Sequence, residues 1–374
     1  MSPSKKPKPP ASTRREFLKK SGTIAIAAGA SASIGPFVHA SPKYKWKMVT
    51  TWPKNFPGMG TGANQLAEKI TKMSDGQIEI RVYGAGEIVP AMGVFDTVQR
   101  GTAQMGHGAA YYWKGKHPAT QFFAAVPFGL SAVEMNSWLG YGGGQKLWDK
   151  LYSGFGLKPF PAGNTGVQMG GWFNKEIKKV DDFKGLKIRM PGLGGEVLRR
   201  LGAAVVNLPG GEIFQALKSG AIDATEWVGP YNDLAFGFHQ AAKYYYWPGW
   251  HEPGTTLECI VNKKSYDELS SSLKEIVKHA CLSSNDEILS EYTARNSTAL
   301  ETLVKKHKID LRQFDESTLK KLGKTSKIVV SEIAKADAIS REIYNSFKNF
   351  QRSASNWGRI SDEGFAHARG LTFK

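Results

Sequence analysis

Residues 215–230, QALKSGAIDATEWVGP, decide the architecture. Gln215 to Ser219 are helix formers, and Gly220 is a natural stop because glycine enters the left-handed conformation without a side-chain clash. Residues 221–225 are short enough for a buried strand. Glu226 and Trp227 fall where that strand leaves its sheet, and ligands of open α/β sheets gather at the carboxyl ends of strands. An acidic loop residue beside a core tryptophan fits the same spacing.

An echo of this unit lies upstream. Residues 94–106, VFDTVQRGTAQMG, and residues 213–225, IFQALKSGAIDAT, both run helix, glycine stop, short strand. Two such units more than a hundred residues apart point to two α/β lobes of one plan. Strands are expected at 46–50, 77–83, 103–106, 167–174, 186–190, 204–207, 244–247 and 255–262. Helices are expected between them at 63–74, 94–100, 195–201, 212–219 and 231–241. The alternation then stops. A short helix is expected on a Ser-x-x-Glu cap (Ser265, Glu268), a long one over 273–307, and further helix over 317–350 with a break at Gly323. The last stretch carries an apolar stripe, Ile328, Val329, Ile333, Ile339, Ile343 and Phe347, which needs a partner on its own chain or on a second one. The 374 residues exceed one ordinary domain, so two lobes are the expectation, and 10 Trp allow a large core.

The first forty residues have the form of an export signal. Ser12-Thr13-Arg14-Arg15-Glu16-Phe17-Leu18-Lys19 is a twin-arginine pattern, a weakly apolar run follows over 24–34, and Val38-His39-Ala40 is a small-residue cleavage site. Such a run is too short for a membrane span. Residues 1–40 hold seven Lys/Arg and one acid, so their removal takes the net charge from +17 to 17 − 6 = +11. The remaining cations are interspersed with Asp and Glu, which argues against nucleic acid and suits attraction of small anions. Cys259 and Cys281 either pair in an oxidising compartment or remain two buried thiols.

Four stretches together resemble one family: residues 83–88 (YGAGEI), the 94–106 unit, residues 187–192 (KIRMPG) and residues 208–227 (LPGGEIFQALKSGAIDATEW). In this order they are similar to the extracytoplasmic solute-binding subunits of TRAP transporters, the DctP-like proteins. The likeness covers most of residues 46–350 and is closest to the branch that binds 2-oxo acids such as pyruvate with a metal ion. It implies an α/β fold of the two-lobed periplasmic binding protein type (type II-like), with a hinge and a helical C-terminal extension. Lobe I is then expected in residues 41–166 with about 255–290, and lobe II in residues 167–254 with about 291–316. Residues 317–374 form the extension, which the resemblance implies is exchanged between the subunits of a homodimer.

The family's carboxylate-binding arginine matches Arg189. It ends an expected strand just before Pro191, where its guanidinium can offer a rigid fork to two carboxylate oxygens; taken alone, the residue fits an ion pair with a surface acid. The branch's metal ligands match the Gln168 amide oxygen, the Glu226 carboxylate, the Trp227 carbonyl and the Glu252 carboxylate. Hard oxygen donors of this kind select Na⁺ or Ca²⁺ over zinc or copper, and the resemblance favours Na⁺. Two carboxylates, one arginine and a bound monocarboxylate sum to −2, which Na⁺ brings to −1 and Ca²⁺ to zero. His251 is expected to be structural. Gln168 and Tyr112 are further candidates for ligand contact, Asn164 for the hinge or the ligand, and the aromatics of 244–250 for an apolar wall.

The function expected from this is a periplasmic receptor that captures a small carboxylate and hands it to membrane subunits without catalysis. An exported metal-dependent enzyme is the competing reading, since two glutamates and a metal can serve acid–base chemistry. The sequence shows no nucleophile–base constellation, zinc motif or phosphate loop to carry it. A sensory domain is a third reading. A 2-oxo acid, lactate and larger aromatic or acyl carboxylates all present the same head group to Arg189.

Overall fold

The computed structural model describes residues 42–373, so the signal expected at residues 1–40 lies outside it. Two mixed sheets organise the chain. The first contains β1 (Tyr44–Thr50), β2 (Ile78–Tyr83), β3 (Met105–Gly108), β4 (Leu157–Asn164) and β10 (Thr256–Asn262), in the order β2-β1-β3-β10-β4. The second contains β5 (Gly171–Phe173), β6 (Lys187–Arg189), β7 (Ala204–Val206), β8 (Ala224–Thr225), β9 (Tyr244–Trp247) and β11 (Asp310–Gln313), in the order β11-β9-β5-β8-β6-β7. In the first, β1 runs parallel to β2 and β3, while β10 is antiparallel to both neighbours. In the second, β6 is parallel to β7 and β8, while β5 is antiparallel to β8 and β9.

The antiparallel strand of each sheet is the one that enters from the other. Residues 165–170 carry the chain from β4 to β5, and residues 248–255 carry it back from β9 to β10. These crossings bond to each other: Thr165 N–H donates to Thr255 O at 3.0 Å, Gln168 N–H to Glu252 O at 3.1 Å, and Gly249 N–H to Gln168 O at 2.9 Å. Met169 N–H donates to Val228 O at 2.9 Å and Gly170 N–H to Tyr246 O of β9 at 2.7 Å, so the crossing's backbone groups are paired outside a continuous strand ladder. This is why the strand expected over 167–174 shortens to β5.

Helices flank the sheets: α1 (Gly60–Met73), α2 (Val94–Gln99), α3 (Ala132–Gly140) and α4 (Gly144–Ser153) belong with the first, α5 (Gly192–Arg200), α6 (Gly210–Lys218) and α7 (Pro230–Phe236) with the second. The echoed units fold alike. Gly101 after α2 and Gly220 after α6 both have φ +76°, and each leads into a central parallel strand, β3 or β8. After the short α8 (Lys263–Asp267), helix α9 (Ser271–Lys305) packs on α1 and β4 at one end of its course and on α7 farther along. At 1.5 Å per residue, its 35 residues span about 50 Å, enough to bridge both sheets.

One face of the first sheet packs Met48, Cys259 and Val261 under Leu66, Ile70, Val277 and Cys281. Cys259 and Cys281 are buried free thiols, and mutual hydrogen bonding and burial hold the Cys259 thiol well above its usual range. The other face continues into the second sheet and the helices α10 (Glu316–Ile333) and α11 (Ala338–Ile360), whereas α12 (Asp362–Thr372) buries no residue. From the apolar stripe, Val329, Ile343 and Phe347 are buried, with Phe347 edge-on to Trp138 at 5.2 Å and Phe122 at 5.4 Å; Ile328 is exposed.

Two helix boundaries differ from expectation. Gly323 sits inside α10 without breaking it, because a lone glycine costs a helix only about 1 kcal/mol. The break comes at residues 334–337, where Asp337 accepts from Ser340 N–H at 2.7 Å and starts α11. Likewise α8 begins at Lys263 on an Asn262 cap, not at Ser265, whose N–H is the group being capped at 3.2 Å.

Candidate functional site

Arg189 ends β6 at the carboxyl edge of the second sheet, and Glu226 and Trp227 follow β8 beside it. All three are buried, Arg189 at 1% exposure and Glu226 at 0%. Arg189 Nη1 donates to a Glu226 carboxylate oxygen and, at 3.0 Å, to the Glu226 carbonyl; its Nε donates to Leu208 O at 3.2 Å. Among the described residues the second guanidinium nitrogen, Nη2, has no hydrogen-bond partner. Burial works against the arginine charge, but Glu226 and the nearby tyrosine hydroxyls keep it above the ordinary guanidinium range. The Trp227 ring lies 5.1 Å from the guanidinium carbon and fills the space over Gly210, where a Cβ would stand 2.5 Å from the ring.

The two crossing segments bring the rest. Gln168 Nε2 donates to Glu252 Oε2 at 2.9 Å, to Thr165 Oγ1 at 3.2 Å and to Thr255 Oγ1 at 3.2 Å, and Thr255 Oγ1 donates to the same Glu252 oxygen. Fixing the amide nitrogen this way turns Gln168 Oε1 elsewhere, and that oxygen is buried without a partner. His251 Nε2 lies 3.3 Å from Glu226 Oε2. Glu226, His251 and Glu252 thus present ligand atoms within 4.8 Å of one another. Burial, and then the adjacent Glu226 charge, push the Glu252 carboxyl well above the usual carboxylate range.

The first sheet supplies the facing wall. Tyr111, Tyr112 and Trp113 form the turn after β3, as Glu226 and Trp227 form the turn after β8. Tyr111 and Tyr112 meet edge to face at 4.8 Å, and burial pushes the Tyr112 hydroxyl up to about 12. The Glu252, Glu226 and Arg189 charges all act on both hydroxyls, which places the two tyrosines beside the charged group. Trp52, after β1, meets Tyr112 at 6.2 Å and Trp227 at 6.3 Å. Phe56 stacks on Phe236 at 4.2 Å, and Asn232 Nδ2 donates to Pro57 O at 2.9 Å. The walls from the two sheets are therefore in contact, and the charged group is enclosed between them.

The structure brings Arg189, Gln168, Glu226, Trp227 and Glu252 together, with Tyr112 opposite. Asn164 is placed differently. It is buried at the end of β4, with Oδ1 accepting from Gly166 N–H at 2.9 Å and Nδ2 directed to Gly254 O at 3.4 Å, so its amide is engaged within the crossings. Of the 244–250 aromatics, Tyr245 and Tyr246 belong to the second sheet's core, and Trp250 stacks on Phe128 at 5.9 Å. His251, expected to be structural, contributes a ring nitrogen to the cluster. Its position next to Glu252 was a visible signal. Tyr111 lies in the aromatic turn after the first lobe's short strand, where a cleft-facing loop was expected; Trp52 and Phe56 were not singled out, because only the tertiary approach of the sheets sets them against Trp227.

The chemistry available is that of a buried receptor: a guanidinium with a free donor, an unpartnered amide oxygen and two carboxylates. Hard oxygen atoms of this kind suit Na⁺ or Ca²⁺, and the orphaned Gln168 Oε1 fits such an ion. Among the described residues no helix is long and apolar enough to cross a membrane.

Comparison with known proteins agrees with this geometry. A monocarboxylate 2-oxoacid-binding periplasmic protein of Nostoc sp. is 43% identical over 363 residues, 94% of this chain and 98% of that one. A TRAP periplasmic solute-binding protein from Pseudoalteromonas atlantica, solved with bound sodium and pyruvate, superimposes with a TM-score of 0.85 at 41% identity, over 88% of this chain and 99% of the other. One from Bordetella bronchiseptica, a mixed-occupancy dimer with calcium and picolinate in one site, gives 0.86 at 34% identity, over 88% and 98%. Residues 48–337 match bacterial extracellular solute-binding protein family 7 as a whole. The chain therefore belongs to that family, the DctP solute-binding proteins of TRAP transporters.

Proposed function

We propose that this chain captures a small 2-oxo acid such as pyruvate in the periplasm, together with a cation, and delivers it to the membrane subunits of a TRAP transporter without chemical change. One observation carries this reading: within one enclosed site, Arg189 Nη2 is a buried donor and Gln168 Oε1 a buried acceptor, neither with a protein partner. Buried polar groups are almost always hydrogen-bonded, so two orphans beside a carboxylate pair mark where a ligand fits. Arg189 would hold the ligand carboxylate. Gln168, Glu226, Glu252 and the Trp227 carbonyl would hold the cation, whose charge would offset the two glutamates. The Nostoc relative supports the ligand class, and the structures with sodium or calcium support either ion.

In this reading residues 41–166 with about 255–290 form one lobe, 167–254 with about 291–316 the other, and the paired crossings between them are the hinge. Residues 1–40 direct twin-arginine export. The extension from 317 onward serves a homodimer: Trp357, Ile360, Phe365 and Leu371 are 68%, 77%, 65% and 69% exposed, a row that a second copy would cover.

Mass spectrometry of the compound released from purified protein identifies the ligand, and calorimetry measures pyruvate affinity with and without sodium or calcium. Release of a 2-oxo acid intact, with cation-dependent affinity, supports the proposal. Unchanged affinity in chelated, sodium-free buffer overturns the cation's part, and conversion of the acid overturns the receptor.

A further inference from the structure

A second cavity, of about 520 Å³, lies away from the enclosed site, between α10, α11 and the turn at 126–128. Val126, Val330 and Tyr344 give it an apolar floor. Lysines 320, 324, 327 and 348 surround it, and no carboxylate is among the residues that line it. Lys320 is drawn off by Glu316 at 2.8 Å, and the Lys348 ammonium donates to the uncharged Gln351 amide at 2.6 Å, so Lys324, Lys327 and Lys348 line the cavity without a carboxylate partner among its lining residues. Burial, and then the charges of Lys327 and Arg352, lower the Lys348 ammonium below its ordinary range. Like charges gathered over an apolar floor are unfavourable in the empty cavity and favourable once an anion sits among them.

The turn contributes an unusual residue. Phe128 is 40% exposed and has φ +52°, a left-handed backbone that strains a bulky residue. It is held there by its N–H donating to Trp250 O at 2.8 Å and by Gln351 Nε2 donating to its carbonyl at 2.8 Å. Its ring lines the cavity on one side and stacks on the buried Trp250 at 5.9 Å. Non-glycine residues retained in this conformation cluster at ligand clamps.

We propose that this cavity is a second binding site, for an amphipathic monoanion: a carboxylate on a medium-length alkyl or aryl body. The carboxylate would sit among Lys324, Lys327 and Lys348, and the apolar body would lie on Val126, Val330 and Tyr344 beside Phe128. The volume falls within the roughly 300–1,000 Å³ typical of small-molecule sites. Lysine supplies point charges without the planar fork of arginine, so the site selects for charge and length rather than for a particular head-group geometry.

Calorimetric titration of the chain with sodium octanoate tests this, with octanol as the uncharged comparison. Saturable binding at one octanoate per chain is expected, weakened roughly tenfold in K327Q/K348Q, undetected with octanol, and unchanged in R189K, whose alteration lies in the other site. Thermal unfolding of K327Q/K348Q at the wild-type temperature establishes that the loss is not one of folding. Absence of saturable binding, equal binding of octanol, loss in R189K or retention in K327Q/K348Q each overturns the proposal. So does octanoate dissociating a dimer in light scattering, which would make the cavity a surface that a second copy covers.

Discussion

Arg189→Met removes the guanidinium that faces Glu226 while preserving much of the side chain's length. Both partners are buried, at 1% and 0% exposure, so water cannot take over the lost contact. Removing one member of a buried ion pair leaves an uncompensated charge and typically costs about 3–5 kcal/mol. The hydrogen bonds to Leu208 O and Glu226 O are lost as well, but those carbonyls can be partly resolvated, so the figure stands as the order of magnitude. Urea unfolding of ligand-free protein should show this loss. R189M/E226Q removes the stranded charge and should recover about 2 kcal/mol or more relative to R189M, a coupling expected only of groups in direct contact. Arg189→Lys keeps the charge but loses the fork, and Nη2 with it. Its pyruvate affinity should fall by about 2–3 kcal/mol, or roughly 30–150-fold, by calorimetry. If R189M unfolds within about 1 kcal/mol of wild type, and the double variant is no more stable than the single, Arg189 is not the counter-charge of Glu226 and the reasoning fails.

Glu258 lies buried between the Trp113 indole and the Tyr152 hydroxyl, and burial pushes it up to about 7. Its folded value exceeds the ordinary 4.5, so its stabilising contribution is full below that value and lost as pH rises through about 7. The wild type should lose about 3 kcal/mol from this group between about pH 5 and pH 8, and E258Q should flatten that part of the curve; a wild-type stability unaffected by the substitution across this range would refute it. Asp233, held by Trp172 and Tyr245 and also pushed up to about 7 by burial, predicts the same sign, with D233N removing its share. Glu252→Gln should weaken ligand binding about 10–100-fold and blunt its dependence on sodium or calcium in calorimetry; undiminished cation dependence would exclude Glu252 as a ligand. Trp357→Asp with Phe365→Asp should yield a monomer by light scattering at micromolar protein, and a persistent dimer would place the interface elsewhere.

Much of the fold was legible because it is local. The helix–glycine–strand units at 94–106 and 213–225 were readable from glycines whose φ +76° no other residue adopts as easily. The long helix over 273–307 was readable from its periodicity, and it forms from Ser271 to Lys305. Elements whose partners are remote were missed. Strand β4 pairs antiparallel with β10 about a hundred residues away, whereas helix α3 was missed despite a local signal, the Ser131–Glu134 capping box. β11 pairs with β9 from beyond the long helix, a contact with no local signature. The strand expected over 167–174 shortened for the same reason: the N–H groups of Gln168, Met169 and Gly170 donate to Glu252, Val228 and Tyr246 in turn.

The site divides along the same line. Gln168, Glu226 and Glu252 as candidate metal ligands and Arg189 as the candidate carboxylate partner came from the resemblance to the TRAP solute-binding subunits, with chemistry in support: an arginine ending a strand before proline, and hard oxygen donors without a thiol set. Sequence alone therefore determined the α/β plan and the doubled unit, because these depend on backbone propensity and side-chain type, and the resemblance carried by its motifs supplied the class of ligand. Tertiary structure decided that Gln168 and Glu252 meet on paired crossings and that His251 reaches Glu226. It also placed the Trp227 ring, which the sequence left unassigned, beside Arg189 and against Trp52 and Phe56 from the opposite wall. Those are contacts between residues tens to nearly two hundred positions apart. Only the closing of two sheets on each other makes them, and the same enclosure buries Arg189 Nη2 and Gln168 Oε1 with no hydrogen-bond partner among the described residues.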